Sequence, residues 1–273
     1  MELTGLTLMA VHAHPDDEST STGGILAHYS RLGVRVVVVT CTNGELGDGP
    51  GGVKPGSPGH DPTEVAALRR QELAAACRTL GVADTELLDY HDSGMADWPQ
   101  RQQYDVFCDV PVAAAAERLA AHIEHHRPQV VVTYDPFTSY QHPDHIHAAN
   151  VATAAVAQVD SVRKLYYKAH GTAYWTRLRD VLARIGVHRP APAAEVAAAM
   201  QVVQQRITTV VDTEHMAAVK RAGLHCHRSQ LGSSVAAKLS PELFAEVFGV
   251  ETYIRAVGRT GAELPESDLF AGL

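Results

Sequence analysis

Apolar positions along the chain repeat with two periods. Residues 6–11 (Leu-Thr-Leu-Met-Ala-Val) and 34–41 (Val-Arg-Val-Val-Val-Val-Thr-Cys) are short, β-branched runs, the pattern of strands buried on both faces of a parallel sheet. Between them, residues 21–32 carry apolar side chains at helical spacing and stop at Gly33, a residue suited to the left-handed position that closes a helix. Strand, helix and strand make a βαβ unit. The helical period returns at 64–80, ending at Gly81, and at 111–126, and after Arg127-Pro128 the run 130–134 reads as another buried strand. The alternation predicts an α/β fold with a Rossmann-like, mostly parallel sheet flanked by helices. Residues 42–62 are crowded with Gly, Pro and Asp and read as one long loop at the carboxyl edge of a strand; loops of that length in compact domains usually serve function.

Beyond about residue 160 the pattern loosens. An Ala-rich helix around 193–205, a strand at 207–211, a helix at 213–229 and a strand at 252–257 are expected. Residues 1–160 are therefore read as the catalytic core, and 161–273 as a part that completes the fold and the substrate pocket, either as a smaller cap or as an extension of the sheet.

Composition narrows the function. With 273 residues, 45% of them hydrophobic, the chain can bury a full core. Thirty-one acidic against 23 basic residues give a net charge of -8 with no basic run, so a nucleic acid backbone is excluded as partner. No stretch approaches the roughly 20 apolar residues of a membrane span, and the first residues lack the positive segment of a signal peptide. A cytoplasmic protein with a small-molecule substrate is expected, with no membrane partner; nothing in the sequence signals an oligomeric state. The four cysteines (Cys41, Cys77, Cys108, Cys226) form no Cys-x-x-Cys pair and read as buried thiols. The sixteen histidines direct the search toward metal ligands.

Directly after the first strand comes His12-Ala13-His14-Pro15-Asp16-Asp17-Glu18, at the edge where open α/β folds bind ligands. Crowded acids and imidazoles suit a cation, and a catalytic zinc takes about three such ligands while leaving a place for water. His14 and Asp17 could supply two. A third is offered by Tyr140-Gln141-His142-Pro143-Asp144-His145-Ile146-His147, which follows the strand at 130–134 and returns to the same edge. One His-Pro-Asp is an ordinary turn; two, each after a strand, are not.

On these motifs the chain resembles the LmbE-like (PIG-L) family of zinc-dependent N-deacetylases acting on N-acetylglucosaminyl compounds. The likeness extends to Thr42-Asn43-Gly44-Glu45-Leu46-Gly47, Arg69-Arg70-Gln71-Glu72-Leu73, Asp92-Ser93-Gly94-Met95, Thr133-Tyr134-Asp135-Pro136 and the final Asp268-Leu269-Phe270-Ala271-Gly272-Leu273. The resemblance implies that His14, Asp17 and His145 bind Zn2+, with Fe2+ a competitor, and that Asp16 is the general base. It further implies that protonated His142 and Tyr140 lie near the developing oxyanion, that Asp144 orients His142 and keeps its pKa high, and that Arg69 and Asp92 contact the sugar. The family branch it points to deacetylates N-acetylglucosaminyl-inositol in the mycothiol pathway. Alternatives are the sister branch that cleaves mycothiol S-conjugates and the branches that deacetylate sugar intermediates of antibiotics. Small residues Thr20-Ser21-Thr22, where the conjugate amidases carry lysine, favour acetate release. Phe137-Thr138-Ser139 stand where related deacetylases carry glycines, which implies a bulkier loop. A module that binds metal or sugar without turnover has no need of Asp16.

The other histidines read as bystanders. His28, His122, His125, His126, His170, His188 and His215 are assigned to surface or helix positions, His12 to packing or support of a ligand, and His147 to either. His225-Cys226-His227 is read as helix sequence that borders the pocket, since adjacent helical side chains point apart.

Overall fold

The computed structural model describes residues 3–137 and 142–273. Strands β1 (Thr7–His12), β2 (Arg35–Thr42), β3 (Asp84–Tyr90), β4 (Val130–Tyr134), β5 (Lys164–Lys168), β6 (Thr209–Asp212) and β7 (Val250–Gly258) form one sheet. Its order is β3-β2-β1-β4-β5-β7-β6. The first five strands are parallel, and β7 runs antiparallel to both β5 and β6. The C-terminal part of the chain thus extends the sheet that the N-terminal part begins.

The uninterrupted apolar runs have the expected cause. Met9, Val11, Val37, Val39 and Val131 pack on one face against Leu119 and Ile123 of α3 (Val112–His126) and Val151 of α4 (Pro143–Ala157). Leu8, Ala10, Val36, Val38 and Val130 pack on the other against Ile25 and Leu26 of α1 (Gly23–Arg31) and Leu73 and Leu80 of α2 (Pro62–Leu80). Each such side chain contributes roughly 1.5–3 kcal/mol when fully buried. A smaller cluster joins α5 (Thr172–Arg184), α7 (Ala217–Leu224) and α8 (Pro241–Phe248) through Val181, Leu182, Leu224, Phe244 and Val247, while α6 (Ala194–Arg206) buries no residue.

Several boundaries differ from expectation for identifiable reasons. Helix α2 starts two residues early because the Asp61 carboxylate accepts from the backbone N–H of Thr63 and Glu64, with Pro62 at the first helical position. The helix expected over 213–229 is shorter: α7 ends at Leu224 and a separate turn covers Arg228–Gln230. Of the cysteines, Cys41 and Cys77 are buried and Cys108 and Cys226 only partly so. No helix among the described residues is long and apolar enough to cross a membrane.

Strand order turns at β1, whose neighbours β2 and β4 lead the chain in opposite directions across the sheet. Ligands of doubly wound sheets bind at the carboxyl ends of strands at such a switch point. The two His-Pro-Asp segments follow β1 and β4.

Candidate active site

The first segment is built under strain. Asp16 has φ +119°, a backbone conformation that side chains rarely adopt. Its N–H donates to Glu18 Oε2 at 2.9 Å, and its carbonyl accepts from the N–H of Ser19 and Thr20 at 3.2 and 3.1 Å. The following turn, Glu18–Thr22, is a wide π-type turn that buries Glu18, Ser19 and Thr22. Glu18 Oε1 in turn lies 2.7 Å from His227 Nε2. Burial opposes the charge on His227, but Glu18 and Asp16 outweigh it and raise its pKa. His227 therefore belongs to the support of the motif and not to a helix, a correction that follows from the end of α7 at Leu224.

Three expected donors converge. Asp17 Oδ2 stands 3.4 Å from His14 Nδ1 and 3.3 Å from His145 Nε2. Donors 2.0–2.2 Å from a tetrahedral cation of zinc's size stand roughly 3.3–3.6 Å apart, so Asp17 stands at such a spacing from each imidazole, while the groups at this site, among the described residues, whose three donor atoms all lie within 4.8 Å of one another are His14–His142–His145 and His14–Asp92–Asp144. The other nitrogen of His14 faces Asp144 Oδ2 at 3.2 Å and Asp92 Oδ1 at 3.4 Å. A carboxylate on the far ring nitrogen fixes the tautomer that leaves Nδ1 free for a metal. Burial disfavours both charges, yet the carboxylates hold His14 well above its ordinary pKa, and His145 with His14 holds Asp17 well below. Three buried carboxylates around one imidazole are an excess of negative charge that a divalent cation would balance. His142 is close enough to join His14 and His145 in an alternative three-nitrogen group.

Tyr134, at the end of β4, was expected only as part of the family-like run Thr133-Tyr134-Asp135-Pro136, without a role of its own. Its hydroxyl donates to Asp17 Oδ2 at 2.8 Å and accepts from the Ala13 N–H at 2.7 Å, while its ring stacks on His145 with centroids 4.2 Å apart. It couples the two segments directly. The signal was its place at the carboxyl end of a central strand.

Asp16 lies beside these donors and not among them. Burial pushes its carboxyl up to about 6, against the lowering effect of the Arg69 guanidinium 3.1 Å away. Arg69 is itself buried and donates to the carbonyls of Gly44, at 2.7 Å, and Pro15. The position of Gly44 has φ +67°, and a Cβ there would stand 2.5 Å from Arg69 Nη1. Arg69 thus braces the strained turn while also lining the cavity, where only a sugar contact was expected.

The expected pairing of Asp144 with His142 is corrected. The Asp144 carboxylate accepts from the Ser93 N–H at 2.9 Å and faces His14, so it orients His14. His142 caps α4, its Nδ1 accepting from the Asp144 backbone N–H at 3.3 Å. Burial, then the neighbouring His14 and His145, hold His142 down to about 4, so it is neutral near pH 7 where it was expected to be protonated. Asp92 is buried, accepts from the Gly94 N–H and lines the cavity with Arg69. Tyr140, with Thr138 and Ser139, lies outside the described residues. His12 bonds to Thr22 and packs edge-on against Tyr134, and His147 packs against Phe107.

Two cavities meet at the donors. One, of about 200 Å³, is lined by Asp16, Arg69, Asp92, His142 and Gln230. It opens past Leu46, Met95 and Trp98 into a wider space bounded by Asp48 and Lys54. The other, of about 270 Å³, shares Asp17 and His145 and is walled by Tyr174, Trp175, Met200, Phe248, Lys168 and His170. His170 was assigned to the surface, but it follows β5 by two residues at the carboxyl edge. Burial holds it well below its ordinary pKa and holds Lys168 down to about 7.

A family model described as PIG-L, GlcNAc-PI de-N-acetylase, matches residues 9–156, which carry both His-Pro-Asp segments. A 1D-myo-inositol 2-acetamido-2-deoxy-alpha-D-glucopyranoside deacetylase of Mycobacteroides abscessus is 37% identical over 99% of each chain. Among solved structures, N,N'-diacetylchitobiose deacetylase from Pyrococcus horikoshii shares the fold with TM-score 0.60 and 21% identity, over 91% of this chain and 83% of that one. A 4-carboxy-2-hydroxymuconate hydratase from Pseudomonas putida shares it with TM-score 0.57 and 19% identity, over 95% and 99%, so the fold alone does not fix the reaction. With a family model spanning both halves of the site and a full-length relative at 37% identity, the chain belongs to the PIG-L family.

Proposed function

We propose that the chain removes the acetyl group from an N-acetylglucosaminyl glycoside, with N-acetylglucosaminyl-inositol the substrate that its relatives' names suggest, and that Zn2+ bound by His14 Nδ1, Asp17 Oδ2 and His145 Nε2 assists. Fe2+ suits the same nitrogen and oxygen donors. The observation that carries the reading is Asp16: an ionisable carboxylate tuned to about 6, beside the donor atoms and free of them.

When bound, the cation polarises the amide carbonyl and lowers the pKa of the attacking water toward about 7. Asp16 takes the proton from that water as its oxygen joins the acyl carbon. His142, its Nδ1 engaged by the Asp144 N–H, carries its proton on Nε2 and donates it as a hydrogen bond to the oxygen where charge develops. A neutral imidazole suffices for that role. Tyr140 is assigned to the same oxygen. Asp16 then returns the proton to the glucosamine nitrogen as the C–N bond breaks, and acetate leaves. Asp92 and Arg69, in the polar cavity, face the hydroxyls of the sugar.

The test is amine release from N-acetylglucosaminyl-inositol, a simple N-acetylglucosaminide and a mycothiol S-conjugate, on one preparation with zinc and with chelator. Preferred hydrolysis of an acetylated sugar, abolished by chelator, is expected. A conjugate preferred over both makes the amidase reading the better one, and no amine from any of them overturns hydrolysis itself.

A further inference from the structure

Three lysines are buried in this protein, and two of them are matched by a carboxylate. Lys164 Nζ lies 2.6 Å from Glu266, and Lys220 Nζ lies 2.6 Å from Glu251. Lys168 is nine-tenths buried, yet among the described residues it has no ion pair or hydrogen bond; its ammonium sits 5.1 Å from the centre of the Tyr253 ring. The opposing charge that reaches it, Glu251, makes no hydrogen bond to it and is taken by Lys220 at 2.6 Å, so the buried Lys168 ammonium lacks a direct partner, a costly state that the charge of a ligand would relieve.

The position of Lys168 identifies that partner. It ends β5 in register with Tyr134, whose hydroxyl bonds Asp17, and it lines the 270 Å³ chamber on the far side of Asp17 and His145 from Asp16 and Arg69. The other carboxylate in the chamber wall, Asp135, is matched by Arg206 at 3.2 Å. An amide held at the metal sends its amine side one way and its acyl side the other. The polar cavity and its outward continuation past Met95 and Trp98 suit a sugar with its aglycone. That leaves the chamber with Lys168 for the acyl side. Its aromatic and thioether walls give far more room than a methyl group needs, with one cation set among them.

We infer that Lys168 makes this chamber a subsite for acyl groups longer than acetyl that end in a carboxylate, so that N-succinyl- and N-glutaryl-type glucosaminides are substrates of the same site. The inference rests on the deacylase reading above. The chemistry balances as before: water adds its oxygen to the acyl carbon, the C–N bond breaks, the proton passes to the amine, and a dicarboxylate leaves. A single ammonium among aromatic rings suits a singly charged carboxylate better than a phosphate, which calls for more donors.

The experiment compares kcat/KM for a simple glucosaminide carrying N-acetyl, N-succinyl, N-glutaryl and, as neutral isosteres, the terminal carboxamides of the last two. The wild type should favour the better of the two carboxylates over its own carboxamide by tenfold or more. Lys168→Met should bring that ratio to about one, and Lys168→Arg should keep it clearly above one. Each ratio is taken within one preparation, so it does not depend on the fraction of enzyme that is folded. A wild-type ratio near or below one, or an unchanged ratio in Lys168→Met, overturns the inference while hydrolysis of N-acetyl leaves the deacylase reading standing. Absence of amine from every substrate overturns both.

Discussion

Asp16 combines a strained backbone, an elevated pKa and a place beside the proposed metal donors, and each property is held by a different neighbour. Glu18 accepts its N–H, burial raises its pKa, and Arg69 limits the rise. Asp16→Asn should therefore retain one metal ion per chain, measured by elemental analysis, while kcat falls by at least about 10². Normal turnover in that variant removes Asp16 from the mechanism. As a base, Asp16 acts only when ionised, so activity should decline as pH drops through its pKa. That limb is expected at or below about 6, since a cation beside Asp17 favours the carboxylate. Removing the guanidinium in Arg69→Met should move the limb to higher pH, because the largest influence that lowers Asp16 is lost. Were Arg69 only a sugar contact, KM would rise and the limb would stay where it was.

Helix α1 shows how an element after the motif is anchored. The Glu251 carboxylate accepts from the N–H of Gly24 and Ile25 at 2.9 and 3.3 Å, from Lys220 at 2.6 Å and from the Tyr253 hydroxyl at 2.6 Å. It reaches the helix end because position 24 has no Cβ; one there would stand 2.6 Å from Glu251 Oε1. Burial works against this charge, but Lys220 and Lys168 hold Glu251 below its ordinary 4.5. Its contribution is present at neutral pH and is lost as pH falls below 4.5 through the folded value. Glu251→Leu leaves Lys220 buried without its partner, a loss of roughly 3–5 kcal/mol. Thermal unfolding should shift down by on the order of 10 °C, and adding Lys220→Met should recover part of it; an unshifted transition would deny the pair its structural role.

The same scale explains which elements were legible. Strands β1, β2 and β4 announce themselves because both faces are apolar. Strand β5 was missed because it begins and ends with lysine, and charged residues are normally exposed; here Lys164 is buried only by virtue of Glu266. Strand β3 is an edge strand of mixed polarity, and α4 begins inside a motif that reads as a turn.

For the whole molecule, the site was legible where adjacency in sequence sufficed, and less so where folding joined distant segments. The two short motifs carry His14, Asp17 and His145, and the structure brings each of the two histidines to within 3.4 Å of Asp17. The reassignment of Asp144 from His142 to His14 depends on how α4 docks against β1, and the Glu18–His227 contact joins residues 209 positions apart. Chelation should abolish activity, and one equivalent of zinc per chain should restore it; His145→Ala, lacking a donor, should lose the bound metal. Full metal content and activity in that variant would show the ligand set to be wrong.

The turn in strand order has a mechanical side. β1 and β4 are the seam between the two wings of the sheet, and their paired register spans only Leu8–Ala10 against Val130–Val132. His14 and Asp17 belong to one wing, His145 to the other. On the proposed ligand set, an ion shared by the three would act as a rivet through that seam. Hydrogen exchange should record this: on metal loading, backbone amides of β1 and β4 should slow more than those of the outer strands β3 and β6, because opening the seam then requires releasing the ion. Equal protection across all strands would mean that the ion merely stabilises the molecule globally. With the slower exchange confined to β1 and β4, the proposed catalytic cation would double as the fastener between the two wings, and a site losing its metal would loosen at the line along which it was assembled.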